Sequence, residues 1–224
     1  MHEIDFSSVD RANQSRLVLA YRSASLLASV AYHPSGSEEE EIAAAQLCKI
    51  TSALVGGLAV LAKTKNAYCV AAIARQLVEV EYLMYAFYKG HRAFKEWFQS
   101  SKKERLNSWS PRHFYNIPGS PFSKEEYGDH CDFGGHPTPN GVKLTAFSDS
   151  ECEELFCEAL QHVHKIMLYL HKWIAENYPV RGTLETNEWA NLGLDFQRFF
   201  KEDPTYKSIL FRFEKWTLDG QPRK

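Results

Sequence analysis

A chain of 224 residues, 44% apolar and 24% charged, has the size and composition of one globular unit with a substantial core. Its formal charge of −2 excludes a strong overall field for nucleic acid or anionic lipid, although a local patch escapes that count. Five cysteines (Cys48, Cys69, Cys131, Cys152 and Cys157) with no Cys-x-x-Cys pair exclude a zinc ribbon and argue against a disulfide framework, so reduced thiols are expected.

The amino terminus, MHEIDFSSVDRANQ, has no apolar signal core. Helical periodicity takes over near Ser8 and predicts a first helix to Tyr32, with Leu17, Tyr21, Ala24, Leu27 and Ala31 on one face. HPSGS breaks it. Ser37 followed by Glu40 reads as a capping box for a second helix reaching about Lys63. Its Gly56–Gly57 pair lowers helix propensity, which implies a close approach by a neighbouring helix. This helix holds the most apolar run, TSALVGGLAVLA, whose 12 residues fall short of the ~20 that span a bilayer. A soluble, cytoplasmic protein without a membrane partner is the expectation.

A third helix is predicted over 65–89. Its only charges between Asn66 and Tyr88 are Arg75, Glu79 and Glu81, and Val70, Ile73, Leu77, Val80 and Met84 form its main stripe. A helix apolar on nearly every side belongs inside a bundle. A shorter helix follows at 91–101. Residues 102–147 read as one long irregular connection with helical turns near Pro111 and Ser123, and connections of that length tend to be functional. Order returns over 148–178, where Cys152, Leu155, Phe156, Ala159, Val163, Ile166, Leu170 and Trp173 share a side. TNEWANLGLDFQRFFKE adds a shorter helix, and 204–224 forms a docking or flexible tail. The fold class expected is all-α: a single domain over 1–224, an antiparallel bundle of long helices with one long cross-connection.

Chemistry has few places to sit. Arg75 and Glu79 are one turn apart with Tyr82 beside them, which suits a polar site, a buried ion pair or a surface pair. Two residues along the helix, Glu81 points elsewhere; within an apolar stripe it needs a donor from a facing helix, such as a Tyr, Arg or His. His162, His164 and His171 are spread over two edges of their helix and do not make a metal site among themselves. The stretch YGDHCDFGGHPTPNG, residues 127–141, gathers Tyr127, His130, Cys131, Asp132 and His136. It reads as a structural cap, as a ligand-binding or catalytic loop, or as a metal loop using His130, Asp132 and His136 with Glu79 to complete it. Gly134 and Gly135 end its short helix, and Pro137 and Pro139 stop the helix from resuming. No cofactor is predicted; a divalent metal is the alternative these donors leave open. SSKKERLNSWSPRHF mixes Lys102, Lys103, Arg105, Arg112 and His113 with Trp109 and Phe114, a weak pattern for nucleic acid. Phosphate-loop, dinucleotide and serine-elbow motifs are absent.

ARQLVEVEYLMYAFY together with YGDHCDFGGHPTP resembles a loose group of bacterial all-helical proteins. In these an Arg-x-x-x-Glu helix is followed by a Tyr-rich, His-Pro-containing connection and another long helix. They are distantly similar in organisation to HEPN bundles. The resemblance implies a helical bundle, dimeric in habit, with attention on Arg75, Glu79, Tyr127 and His136, and it carries no reaction. The HEPN ribonuclease signature, Arg followed by His after four to six residues, does not occur. The leading expectation is a non-enzymatic binding or regulatory protein whose Arg75–Glu79–Tyr82 face is closed by residues 127–141. The alternatives are a HEPN-like or metal-assisted hydrolase or nuclease using Glu79 with His130 or His136, and a subunit of a larger assembly. Self-association or a protein partner is expected.

Overall fold

The computed structural model describes residues 10–32, 38–115, 117, 120, 123–135, 137–178 and 186–209. Capping chemistry sets most helix starts. The Asp10 carboxylate accepts the backbone N–H groups of Ala12 and Asn13 at 2.9 and 3.0 Å and opens α1 (Arg11–Tyr32). Three glutamates in the first turn of α2 (Glu39–Lys63) complement its dipole. Glu38 occupies its N-cap position without a side-chain capping bond, and Ser37 of the expected Ser37–Glu40 box lies outside the described residues. At its other end, Lys65 N–H bonds Ala62 and Asn66 N–H bonds Leu61, a Schellman turn with Lys65 at φ 55°. Asn66 then caps α3 (Ala67–Tyr88) by accepting from Cys69 N–H, so three residues suffice to reverse the chain.

The connection is more ordered than its turn-rich composition implies. It holds α5 (Lys102–Ser108), which follows α4 (Phe94–Gln99) and starts on a Ser101–Glu104 capping box, and a 3₁₀ turn at Pro111–His113. Then come α6 (Lys124–His130), capped by Ser123, a π-turn at Cys131–Gly135, and α7 (Pro139–Leu144), capped by Thr138. Pro139 opens a helix instead of blocking one, because a missing N–H costs nothing at the first helical position. A Ser148–Glu151 capping box starts α8 (Asp149–Asn177). α9 (Thr186–Glu202) follows, and residues 204–209 are again helical. No strand occurs among the described residues, so the all-α expectation holds.

Short turns make sequential neighbours antiparallel: α1 pairs with α2, where Ser52 donates to the Ala24 carbonyl, and α2 pairs with α3. The long connection has the opposite effect. It runs back along α3, so that α8 lies parallel to it: Lys65 meets Glu153 at one end, Glu81 meets His162 midway, and Tyr85 meets Tyr169 further on. α9 descends against α1 and α8, with Arg16 on Asp203 and His171 stacked on Trp189. Leu27, Leu47, Leu58, Leu77, Met84, Phe156 and Leu160 fill the interior. As expected, α3 is the central helix. α2 is long and apolar enough to cross a bilayer by length and composition, with a mean hydropathy of 1.6 over its best window, but a core helix meets the same test.

Gly56 and Gly57 do not mark a close approach. A Cβ on Gly56 would meet nothing within 4 Å, and one on Gly57 would meet only Ile73 Cδ1 at an ordinary 3.4 Å. Gly56→Ala therefore restrains the unfolded chain without a clash and is expected to raise stability by about 0.5–1 kcal/mol, read as a higher denaturant midpoint. A lower midpoint would show that this face of α2 is covered in solution.

Candidate functional site

Three of the six candidate side chains converge. Arg75 Nη1 donates to Glu79 Oε1 at 2.7 Å, and the Tyr127 hydroxyl, arriving from α6, donates to the same oxygen at 2.7 Å. Burial, reinforced by the Glu79 hydrogen bond, raises the Tyr127 phenol above its ordinary pKa and keeps it a donor. The Glu79 side chain is 36% exposed, so its i,i+4 pair with Arg75 contributes only about 0.3–0.5 kcal/mol. Tyr82 does not join this face: it is fully buried, with its ring against Phe114 and Tyr127. His136 lies outside the described residues. Asp132 is engaged in the turn into α7, where Asn140 donates to its carboxylate and Thr138 to its carbonyl.

The sixth candidate, His130, belongs to a different constellation. On α8, Glu158, His162 and Lys165 recur at i, i+4 and i+7 and so share one face. That face meets Glu81 of α3 and His130 of α6. Glu81 is fully buried and takes the donor its stripe demands: His162 Nδ1 stands 2.6 Å from Glu81 Oε2. Lys165 Nζ is 3.3 Å from Glu81 Oε1, inside ion-pair reach but outside hydrogen-bond geometry. With Nδ1–H donating to Glu81, the His162 lone pair is on Nε2. His130 packs edge-on against His162, ring centroids 5.2 Å apart, and its Nε2 is 3.7 Å from Glu158 Oε1. Burial first, then the neighbouring His162, push His130 down to about 4, so its imidazole is neutral at pH 7.

One donor atom each from His130, Glu158 and His162 therefore lies within 4.8 Å of the others. A tetrahedral ion with bonds of about 2.0–2.1 Å sets its donors roughly 3.3 Å apart, close to the His130–Glu158 edge. Two imidazoles and a carboxylate suit a first-row divalent metal, and a buried carboxylate behind one imidazole is the usual way such a ligand is oriented. The same three groups are also capable of a plain hydrogen-bonded tie between helices.

What brings His130 there is the arm of α6, the π-turn and α7. Tyr127 is three residues before His130, so one turn of α6 anchors to α3 and faces α8. Four residues after His130, Gly134 lies against the α3 backbone: a Cβ there would stand 2.4 Å from Ala71 C, 2.5 Å from Ala71 O and 2.6 Å from Ala72 N. The close approach expected of Gly56–Gly57 occurs here. Gly134 allows contact with α3; it does not merely end a helix.

Other features have structural roles. His164 packs on Phe196 and Phe200, and His171 on Trp189, well apart from His162 in partners. In the basic run, Phe114 is buried, while Trp109 packs on Phe87 and Phe114 beneath Arg92, so these rings serve the core. All five cysteines are free thiols, and burial raises Cys48 and Cys157 to about 12, which makes them poor nucleophiles. Arg16, an unremarked residue in the sequence, is 1% exposed and uses all its donors. Nε and Nη2 bind Asp203, Nη1 binds Asn13 and Glu153, and Nη2 also binds Thr205, at 2.8–3.0 Å.

Comparison with models of protein families, with curated proteins and with solved structures returned no match.

Proposed function

We propose that the protein binds one divalent transition-metal ion of the zinc class between α6 and α8, through His130, Glu158 and His162. The observation that carries this reading is the convergence of three donor atoms within 4.8 Å, with Glu81 2.6 Å behind His162. By accepting from His162 Nδ1–H, Glu81 would leave Nε2 as the nitrogen available to the ion. Charge is compatible with it: Glu81 and Glu158 are carboxylates, and Asp129 acts on His130 from α6, so a dication would sit among acidic groups. In this reading the Arg75–Glu79–Tyr127 contact is a latch that sets α6 on α3 and so positions His130. Three protein donors leave a tetrahedral ion one exchangeable position.

The test is titration of the full chain with Co²⁺, followed in the visible spectrum, and competition by Zn²⁺. One equivalent is expected to give a tetrahedral-type spectrum that Zn²⁺ abolishes. His130→Ala and Glu158→Gln, which leave the Glu81–His162 contact in place, are expected to weaken binding at least about tenfold. Cys131→Ser is expected to change nothing. Absence of stoichiometric binding, or wild-type affinity in either ligand variant, would refute the assignment.

A further inference from the structure

Resting on that metal reading, we infer that the open coordination position takes a small oxyanion, a carboxylate or a phosphate, held jointly by the ion and by Lys165. The site is closed on its imidazole side, where His162 and His130 are 4% and 11% exposed, and open where Glu158 and Lys165 are 44% and 39% exposed. A fourth ligand therefore enters along the Glu158–Lys165 edge. With two neutral imidazoles and one carboxylate, the coordinated dication keeps one positive charge, which favours an anionic ligand over a neutral one.

Lys165 adds a second, independent reason. Its ammonium is near Glu81 Oε1 at 3.3 Å without completing a hydrogen bond, and it stands one turn along α8 from His162. It carries three donors on a flexible stem, so it can swing toward an oxyanion while staying in the field of Glu81. The opposing charges are Asp129 on α6, Glu81 on α3 and Glu158 on α8. The arrangement of a dication and an ammonium flanking one entrance matches the charge-assisted binding of a carboxylate or phosphate oxygen.

The experiment uses the full chain loaded with Co²⁺, titrated with inorganic phosphate and separately with acetate at constant ionic strength. A saturable change in the cobalt spectrum is expected with at least one of them, and the tighter of the two identifies the oxyanion class. Lys165→Met is expected to weaken that anion by about tenfold or more while leaving cobalt affinity within about threefold, and Lys165→Arg is expected to restore most of it. A cobalt spectrum indifferent to both anions, or a Lys165→Met protein that binds them like wild type, would overturn the inference and leave the metal site standing. Failure to bind cobalt at all would remove the metal site and this inference together.

Discussion

Arg16→Met is expected to lower the unfolding free energy by about 3–5 kcal/mol, measured from denaturant midpoints at constant slope. The guanidinium holds α1, α8 and the segment after α9 together, and Asp203, its bidentate partner, is itself buried. Removing the cation strands a buried carboxylate, which costs more than the pair contributed. Two further readouts separate this cause from simple loss of packing. Adding Asp203→Asn to Arg16→Met is expected to recover more than about 1 kcal/mol, because the stranded charge disappears. The gap between wild type and variant is also expected to narrow in acid. Burial works against the Glu153 carboxylate, but hydrogen bonds from Lys65, Asn13 and Arg16 outweigh it and hold its pKa below the usual 4.5. A depressed folded pKa contributes stability in full above the unfolded value, and that contribution is lost as pH falls through the folded value. A cost under about 1 kcal/mol at neutral pH would mean that water reaches Asp203.

Gly134→Ala is the second large effect. Its Cβ would overlap the backbone of Ala71 and Ala72, and α3 is the central helix, so the arm must move. Over-packing of this kind costs about 1–3 kcal/mol. His130 is four residues away on the same arm, and its displacement is expected to weaken Zn²⁺ or Co²⁺ by tenfold or more, although no ligand has been altered. Gly128→Ala, two residues before His130 on the same arm, meets nothing within 4 Å and serves as the control. Equal metal affinity in Gly134→Ala and Gly128→Ala would show that the arm does not position the site.

How far this was legible in the sequence differs by residue. Period-3.6 apolar spacing located the long helices, and the demand of Glu81 for a facing donor was readable from its place in a stripe. The meeting of Tyr127 with the Arg75–Glu79 face was also expected. The metal-type cluster was not, because its members come from two helices distant in sequence: His130 of α6 meets Glu158 and His162 of α8 only once the connection has returned the chain and set α8 parallel to α3. The i, i+4, i+7 recurrence of Glu158, His162 and Lys165 is a local signal, but spacing within one helix does not name His130 as its partner. Arg16 gives no local signal either, because its partners Glu153 and Asp203 lie 137 and 187 positions away. Gly134 and Pro139 were recognised as special, but as terminators; whether a glycine ends a helix or admits a backbone depends on a neighbour that local sequence does not name.

X-ray absorption on the zinc-loaded full chain tests the central claim most directly, because it reports the donor set. The predicted shell has two imidazoles with oxygen donors at about 2.0–2.1 Å and no sulfur at about 2.3 Å. A sulfur ligand would place the ion on Cys131 or another thiol, and an all-oxygen shell would place it on surface carboxylates; either result would contradict binding by His130, Glu158 and His162.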